Sequence, residues 1–135
     1  MYRQVILLVE DTPEELEPIL RALMPAHCSV QRVRDAAEAL PRLAGPGPQP
    51  AMILLNLERD ALGALRRIRA EPAAVGLPVV IMTGPKEARA IAEGAGLSNS
   101  CVEKPAERGA LTEVVRLVTE YWLKLNVSPG SLTGF

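Results

Sequence analysis

The feature that most constrains this chain is an alternation: five short apolar runs, each followed by a stretch with helical spacing. The runs are residues 4–9 (QVILLV), 29–33 (SVQRV), 51–57 (AMILLNL), 78–83 (PVVIMT) and 100–103 (SCVE). Strands separated by helices return across the sheet in the same direction, so they pair in parallel rather than as hairpins. Right-handed crossovers then place helices on both faces. The third run agrees with this, because Met52 to Leu55 is apolar without a period of two, as suits a strand covered on both sides. At 135 residues the chain has the length of one domain, with no room for a second core of comparable size. The expected architecture is α/β, a doubly wound sheet of five parallel strands in the order 2-1-3-4-5. That order sets the ends of strands 1 and 3 beside the crevice where such sheets bind ligands.

The helices carry their own signals. Thr12 and Glu15 form a capping-box pattern around Pro13, and Leu16, Ile19, Leu20 and Leu23 follow at helical spacing. Pro18 falls inside that helix and Pro41 inside the next, which Asp35 caps and which runs through Leu43. Each proline removes a backbone donor, so a distorted first half is expected in one helix and a distorted or shortened end in the other. GPGPQP at 45–50 reads as a connection. A third helix at 61–70 has a Leu62, Leu65, Ile68 stripe, and a fourth runs from Pro85 to about Glu93. The last is marked by Leu111, Val114, Val115, Val118, Trp122 and Leu125, and residues 126–135 have the composition of a tail.

Composition narrows the function classes. Aromatic residues are only 3% of the chain, which disfavours base-stacking surfaces, and the net charge of -1 mixes both signs. The one dense basic cluster, Arg66, Arg67 and Arg69, lies on a helix and reads as a solvated face, so no nucleic-acid partner is expected. No segment is long enough to span a membrane, and the N-terminal stretch meets acids too early for a signal peptide. Cys28 and Cys101 are far apart and lack metal-type spacing, which points to reduced thiols and a cytoplasmic protein. His27 is read as structural or exposed.

The strand ends bring together residues of a different character: Glu10 and Asp11 after strand 1, Asn56 after strand 3, Thr83 after strand 4 and Lys104 after strand 5. Two adjacent carboxylates suit a hard divalent cation such as Mg2+. A lysine and a threonine opposite them suit the oxygens of a phosphoryl group. A nucleophile is missing.

Taken in order, ILLVED, ILLNL, VVIMTG and CVEKP make the chain resemble the receiver domains of bacterial two-component response regulators, over nearly its whole length. The resemblance implies a flavodoxin-like (βα)5 fold over residues 1–125 and a role in phosphorelay signalling rather than an enzyme. In that family the position of Asn56 is an aspartate that takes a phosphoryl group from a histidine kinase or a small phosphodonor. Glu10 and Asp11 would hold Mg2+ together with the backbone carbonyl of Glu58, while Thr83 and Lys104 would sense the phosphoryl group. YWLKLNVSP at 121–129 is similar to the end of the stand-alone regulators that partner bacterial phytochromes. That implies a phytochrome-like sensor kinase or a downstream protein as partner. It also implies a homodimer, formed through the C-terminal helix or through the face of the fourth helix, fifth strand and fifth helix.

Three departures matter. Asn56 is neutral and a poor nucleophile, so the aspartyl-phosphate cannot form and the cation site loses a negative ligand. Asp60 stands where the family has a proline, and Gly63 implies a slightly shortened loop. Cys101 stands where an aromatic switch is usual. With Asn at 56, the partners open to Lys104 are the Asn56 oxygen and Asp11. Asn56 is compatible with a native receiver that has lost its acceptor and with an introduced Asp-to-Asn change. The expectation is a receiver that cannot be phosphorylated and acts by protein binding. The alternative is a flavodoxin-like cofactor binder or small enzyme using the same crevice. Against it, the loop EDTPEE has no glycine to cradle a phosphate.

Overall fold

The strongest apolar runs became the centre of the molecule. In the computed structural model, which describes residues 4–24, 28–93 and 100–125, β1 (Gln4–Glu10), β2 (Cys28–Val33), β3 (Met52–Asn56), β4 (Val79–Thr83) and β5 (Ser100–Glu103) form one parallel sheet. Its order is β2-β1-β3-β4-β5, as expected. Every residue of β3 and β4 is buried, while the edge strand β2 has only half-buried and exposed positions. Helices α1 (Pro13–Leu23), α2 (Ala36–Ala44), α3 (Ala61–Ala70), α4 (Pro85–Glu93) and α5 (Arg108–Glu120) make the crossovers.

Because successive strand residues face opposite ways, the two faces of the sheet build two cores. Leu7, Val9, Ile53, Leu55, Val79 and Ile81 pack with residues of α2, α3 and α4. On the other face Ile6, Leu8, Met52, Leu54, Val80 and Met82 pack with Ile19, Leu23, Leu111 and Val115 of α1 and α5. Each fully buried Leu or Ile contributes about 1.5–3 kcal/mol relative to exposure. The cores therefore fix the strand register, in which Glu10 is the direct neighbour of Asn56.

Local details refine several expectations. Pro18 and Pro41 lie inside helices, as expected, and both helices run on past them, from Pro13 to Leu23 and from Ala36 to Ala44. The bond Pro18 cannot make would have gone to the first-turn carbonyl of Glu14. Packing of α1 on α5 holds the helix, and the Thr112 hydroxyl donates to the Pro18 carbonyl at 3.3 Å. The capping box at Thr12 does not form, because the Thr12 hydroxyl donates to Asp11 and the Glu15 carboxylate is used elsewhere. Beyond α5 the chain winds wider, as a π turn over Tyr121–Leu125. A single 3-10 turn at Pro72–Ala74 precedes β4. The Arg66, Arg67, Arg69 cluster is not one solvated face, since the Arg69 guanidinium donates to the Leu77 carbonyl at 2.9 Å beneath that turn. His27 and the tail 126–135 lie outside the described residues. Among the described residues no helix is long and apolar enough to cross a membrane.

Candidate functional site

Strand ends deliver polar side chains to the same edge of the sheet because the strands are parallel and in register. Glu10 and Asn56 are the last residues of β1 and β3, and both are 0% exposed. Thr83 ends β4 and is buried, and Lys104 follows β5, tied by its backbone N–H to the Thr83 carbonyl at 2.8 Å.

Asn56 lies between acids. Its Nδ2 group donates to Glu10 Oε2 in a short contact and to Glu15 Oε1 at 2.9 Å. Two carboxylates can only accept, so the amide must turn its NH2 toward them. Its Oδ1 is left buried without a partner. Lys104 completes the cluster, with Nζ 2.9 Å from Glu15 Oε1 and 3.8 Å from Glu58 Oε1. Its partners are thus Glu15 and Glu58, rather than the Asn56 oxygen or Asp11. The Lys104 and Glu15 side chains are 11% and 21% exposed, so water screens this pair only partly.

Glu10 is the strained member. Burial disfavours its charged form and pushes its pKa from 4.5 to about 7, against the hydrogen bonds from Asn56 and the Thr12 N–H, with the Glu15 charge adding to the rise and Lys104 opposing it.

Asp11 points elsewhere. Its carboxylate accepts from the backbone N–H groups of Glu58 at 2.9 Å and Arg59 at 3.4 Å, and from the Thr12 hydroxyl at 3.0 Å. It therefore organises the loop between β3 and α3. That loop ends at Asp60, which adopts a left-handed conformation with φ of 52°, one that an aspartate tolerates better than most residues. The carboxylate of Asp60 folds over Gly63, where any Cβ would collide with it.

Thr83 and Lys104 flank a crevice of about 510 Å3 with Glu58 and Glu87. The Thr83 hydroxyl donates to Glu87 Oε2 at 3.1 Å. Cys101 lies half-buried, its Sγ 3.9 Å from the Ala88 carbonyl. Burial raises the pKa of both cysteine thiols, which are free and unreactive in character.

The donor set does not fit a divalent cation as it stands. Glu10 and Glu15 are engaged by Asn56 and Lys104, and Asp11 by backbone amides. Among the described residues no three acidic, histidine or cysteine side chains converge to hold a metal ion. The residue that sequence reasoning missed is Glu15, whose signal was absorbed by the capping-box pattern.

No protein-family model and no curated protein matches the chain. Solved structures do. The phosphorylated cyanobacterial phytochrome response regulator RcpA is 28% identical, with 95% of this chain and 99% of that one covered and a TM-score of 0.82. A response regulator in its Mn2+-bound form is 26% identical over 93% of this chain and 99% of the other, with a TM-score of 0.78. The bacteriophytochrome response regulator AtBRR reaches 31% identity over 94% of this chain and 100% of its own, with a TM-score of 0.66.

Proposed function

The chain belongs to the receiver domains of response regulators, and we propose that it is a member whose acceptor position is closed by an amide, so that it signals by binding proteins rather than by taking up a phosphoryl group. The observation that carries this reading is the fully buried Asn56 amide, which donates to Glu10 and Glu15 at once. Its nitrogen lone pair is delocalised and its oxygen is neutral, so position 56 supplies no nucleophile. Lys104 is already neutralised by Glu15 and Glu58.

In a phosphorylatable receiver the phosphoryl group selects one of two pre-existing conformations. Here the ties from Asn56 and Lys104 to the acids hold one of them from within. Mg2+ binds weakly or not at all, because its would-be ligands have other partners. Binding runs through the face of α4, β5 and α5, where Leu117 and Tyr121 are exposed at the end of α5. A second copy of the chain is one occupant of that face. A sensor histidine kinase of the phytochrome type, or its downstream target, fits the names of the similar regulators. Residues 126–135 follow the receiver as a tail.

The test is to incubate the chain and its Asn56→Asp variant with Mg2+ and acetyl phosphate and compare intact masses. A phosphoryl mass on the variant alone supports the reading. Acid-labile phosphorylation of the parent chain contradicts it.

A further inference from the structure

A second crevice opens on the side of β1 away from Thr83 and Lys104. It measures about 540 Å3, within the size range of small-molecule sites, about 300–1,000 Å3. Four arginines, Arg32, Arg34, Arg59 and Arg67, border it, together with the apolar Leu57 and Ala64. These arginines come from three places in the chain: Arg32 and Arg34 from the end of β2, Arg59 from the loop after β3, and Arg67 from α3. Arg67 reaches the crevice because positions 60, 64 and 67 share one helix face.

The acids nearby temper this charge at a distance but do not pair with it. Asp11, Asp35 and Asp60 also border the crevice. The Asp11 carboxylate is held by the N–H groups of Glu58 and Arg59, and that of Asp35 caps α2 by accepting from the Glu38 N–H at 2.9 Å. Asp60 is folded over Gly63. Among the described residues, none of the four guanidiniums takes part in an ion pair. Only Arg32 is anchored, donating to the Glu10 carbonyl at 3.0 Å.

We infer that this crevice binds a small polyphosphate anion. The guanidinium fork matches phosphate oxygens two at a time, which a lysine ammonium cannot do. A diphosphate carries enough charge to engage guanidiniums from β2 and α3 together, which a monophosphate spans less well. The same group occurs free, as pyrophosphate, and esterified, as in a nucleoside diphosphate whose ring would cover Leu57 and Ala64. This site is separate from Asn56 and does not depend on the state of the acceptor position.

Calorimetric titration of the full chain with pyrophosphate and with ADP, in EDTA at moderate salt, tests it. At least one ligand should bind saturably, one per chain, with micromolar affinity. The Arg34→Ala/Arg67→Ala double variant, altered only at exposed positions, should lose at least tenfold while keeping its thermal melt. Arg116→Ala, on α5, should bind as the parent does. Tighter binding of ADP assigns the site to a nucleotide, and equal or tighter binding of pyrophosphate assigns it to the free anion. The inference is overturned if neither ligand saturates by millimolar concentration, if the double variant binds like the parent, or if Arg116→Ala weakens binding as much. None of these outcomes bears on phosphoryl uptake at position 56.

Discussion

Replacing Asn56 by Asp changes one NH2 group for an oxygen, yet the structure makes it a large perturbation. The amide, itself fully buried, makes two hydrogen bonds to carboxylates, one to the buried Glu10 and one to the partly exposed Glu15. Bonds to charged groups contribute about 1.5–3 kcal/mol each, so losing both costs about 3–6 kcal/mol. Repulsion adds to this: two full charges at the 2.9 Å separation from Glu15 would oppose one another by about 6 kcal/mol at an effective dielectric constant of about 20. The site escapes that full cost by taking up a proton. The expected net loss in the metal-free variant at pH 7.5 is about 3–5 kcal/mol, a large part of a typical stability of about 5–15 kcal/mol. Urea unfolding in EDTA measures it directly. The loss should shrink at pH 5, where the carboxyls share protons, and on adding Mg2+, which the new carboxylate can help to hold. Stability within about 1 kcal/mol of the parent in EDTA, below the smallest value for the two bonds, would refute the claim that the amide stabilises this acidic cluster.

Three further outcomes follow from the geometry. The folded-state pKa of Glu10 lies above its unfolded value, so its burial costs nothing below pH 4.5 and the full amount above about pH 7. Metal-free stability should therefore fall across that window by up to about 3 kcal/mol relative to Glu10→Gln, as followed by urea midpoints at pH 5 and 8. Lys104→Met leaves Glu15 without a paired cation, held only by the Asn56 amide, and should cost about 1–3 kcal/mol; a double-mutant cycle with Glu15→Gln should recover a coupling of at least about 1 kcal/mol, and zero coupling would remove the ion pair from the account. The Thr119 hydroxyl is buried without a partner, so Thr119→Val should raise stability by about 1 kcal/mol in thermal or urea unfolding.

What could be read in advance was set by local pattern. Met52 to Leu55 and Val79 to Met82 are apolar runs too short for helices, and their burial on both faces fixes them as central strands whatever lies around them. The ends of those runs are therefore also legible, which is why Glu10, Asn56, Thr83 and Lys104 were found. Their partners were not. Glu15 carries a good local reason to sit in a first helical turn, and nothing nearby announces that it will turn toward a lysine 89 positions away. The same holds for Thr83, whose hydroxyl is taken by Glu87 on the next helix. Pro18 was legible as a proline inside a helix, but not what holds that helix together. A proline rule weighs one lost backbone bond, whereas the packing of α1 on α5 decides whether the helix continues. The arginine-lined crevice was invisible because β2 and α3 supply its parts from separate stretches, each of which reads alone as solvated charge.

The ion pair between Glu15 and Lys104 also orders events in time. One partner sits in the first helix and the other follows the last strand, so the contact cannot exist until β5 has docked on β4. On a chain emerging from the ribosome, Asn56 would already sit between β1 and β4, bonded to Glu15, before Lys104 arrived. Contacts that close so late are absent from a folding transition state built on the central strands, so weakening them should speed unfolding and leave the folding rate nearly untouched. The cluster thus acts as a clasp on a finished sheet, setting how long the native state lasts rather than how fast it is reached.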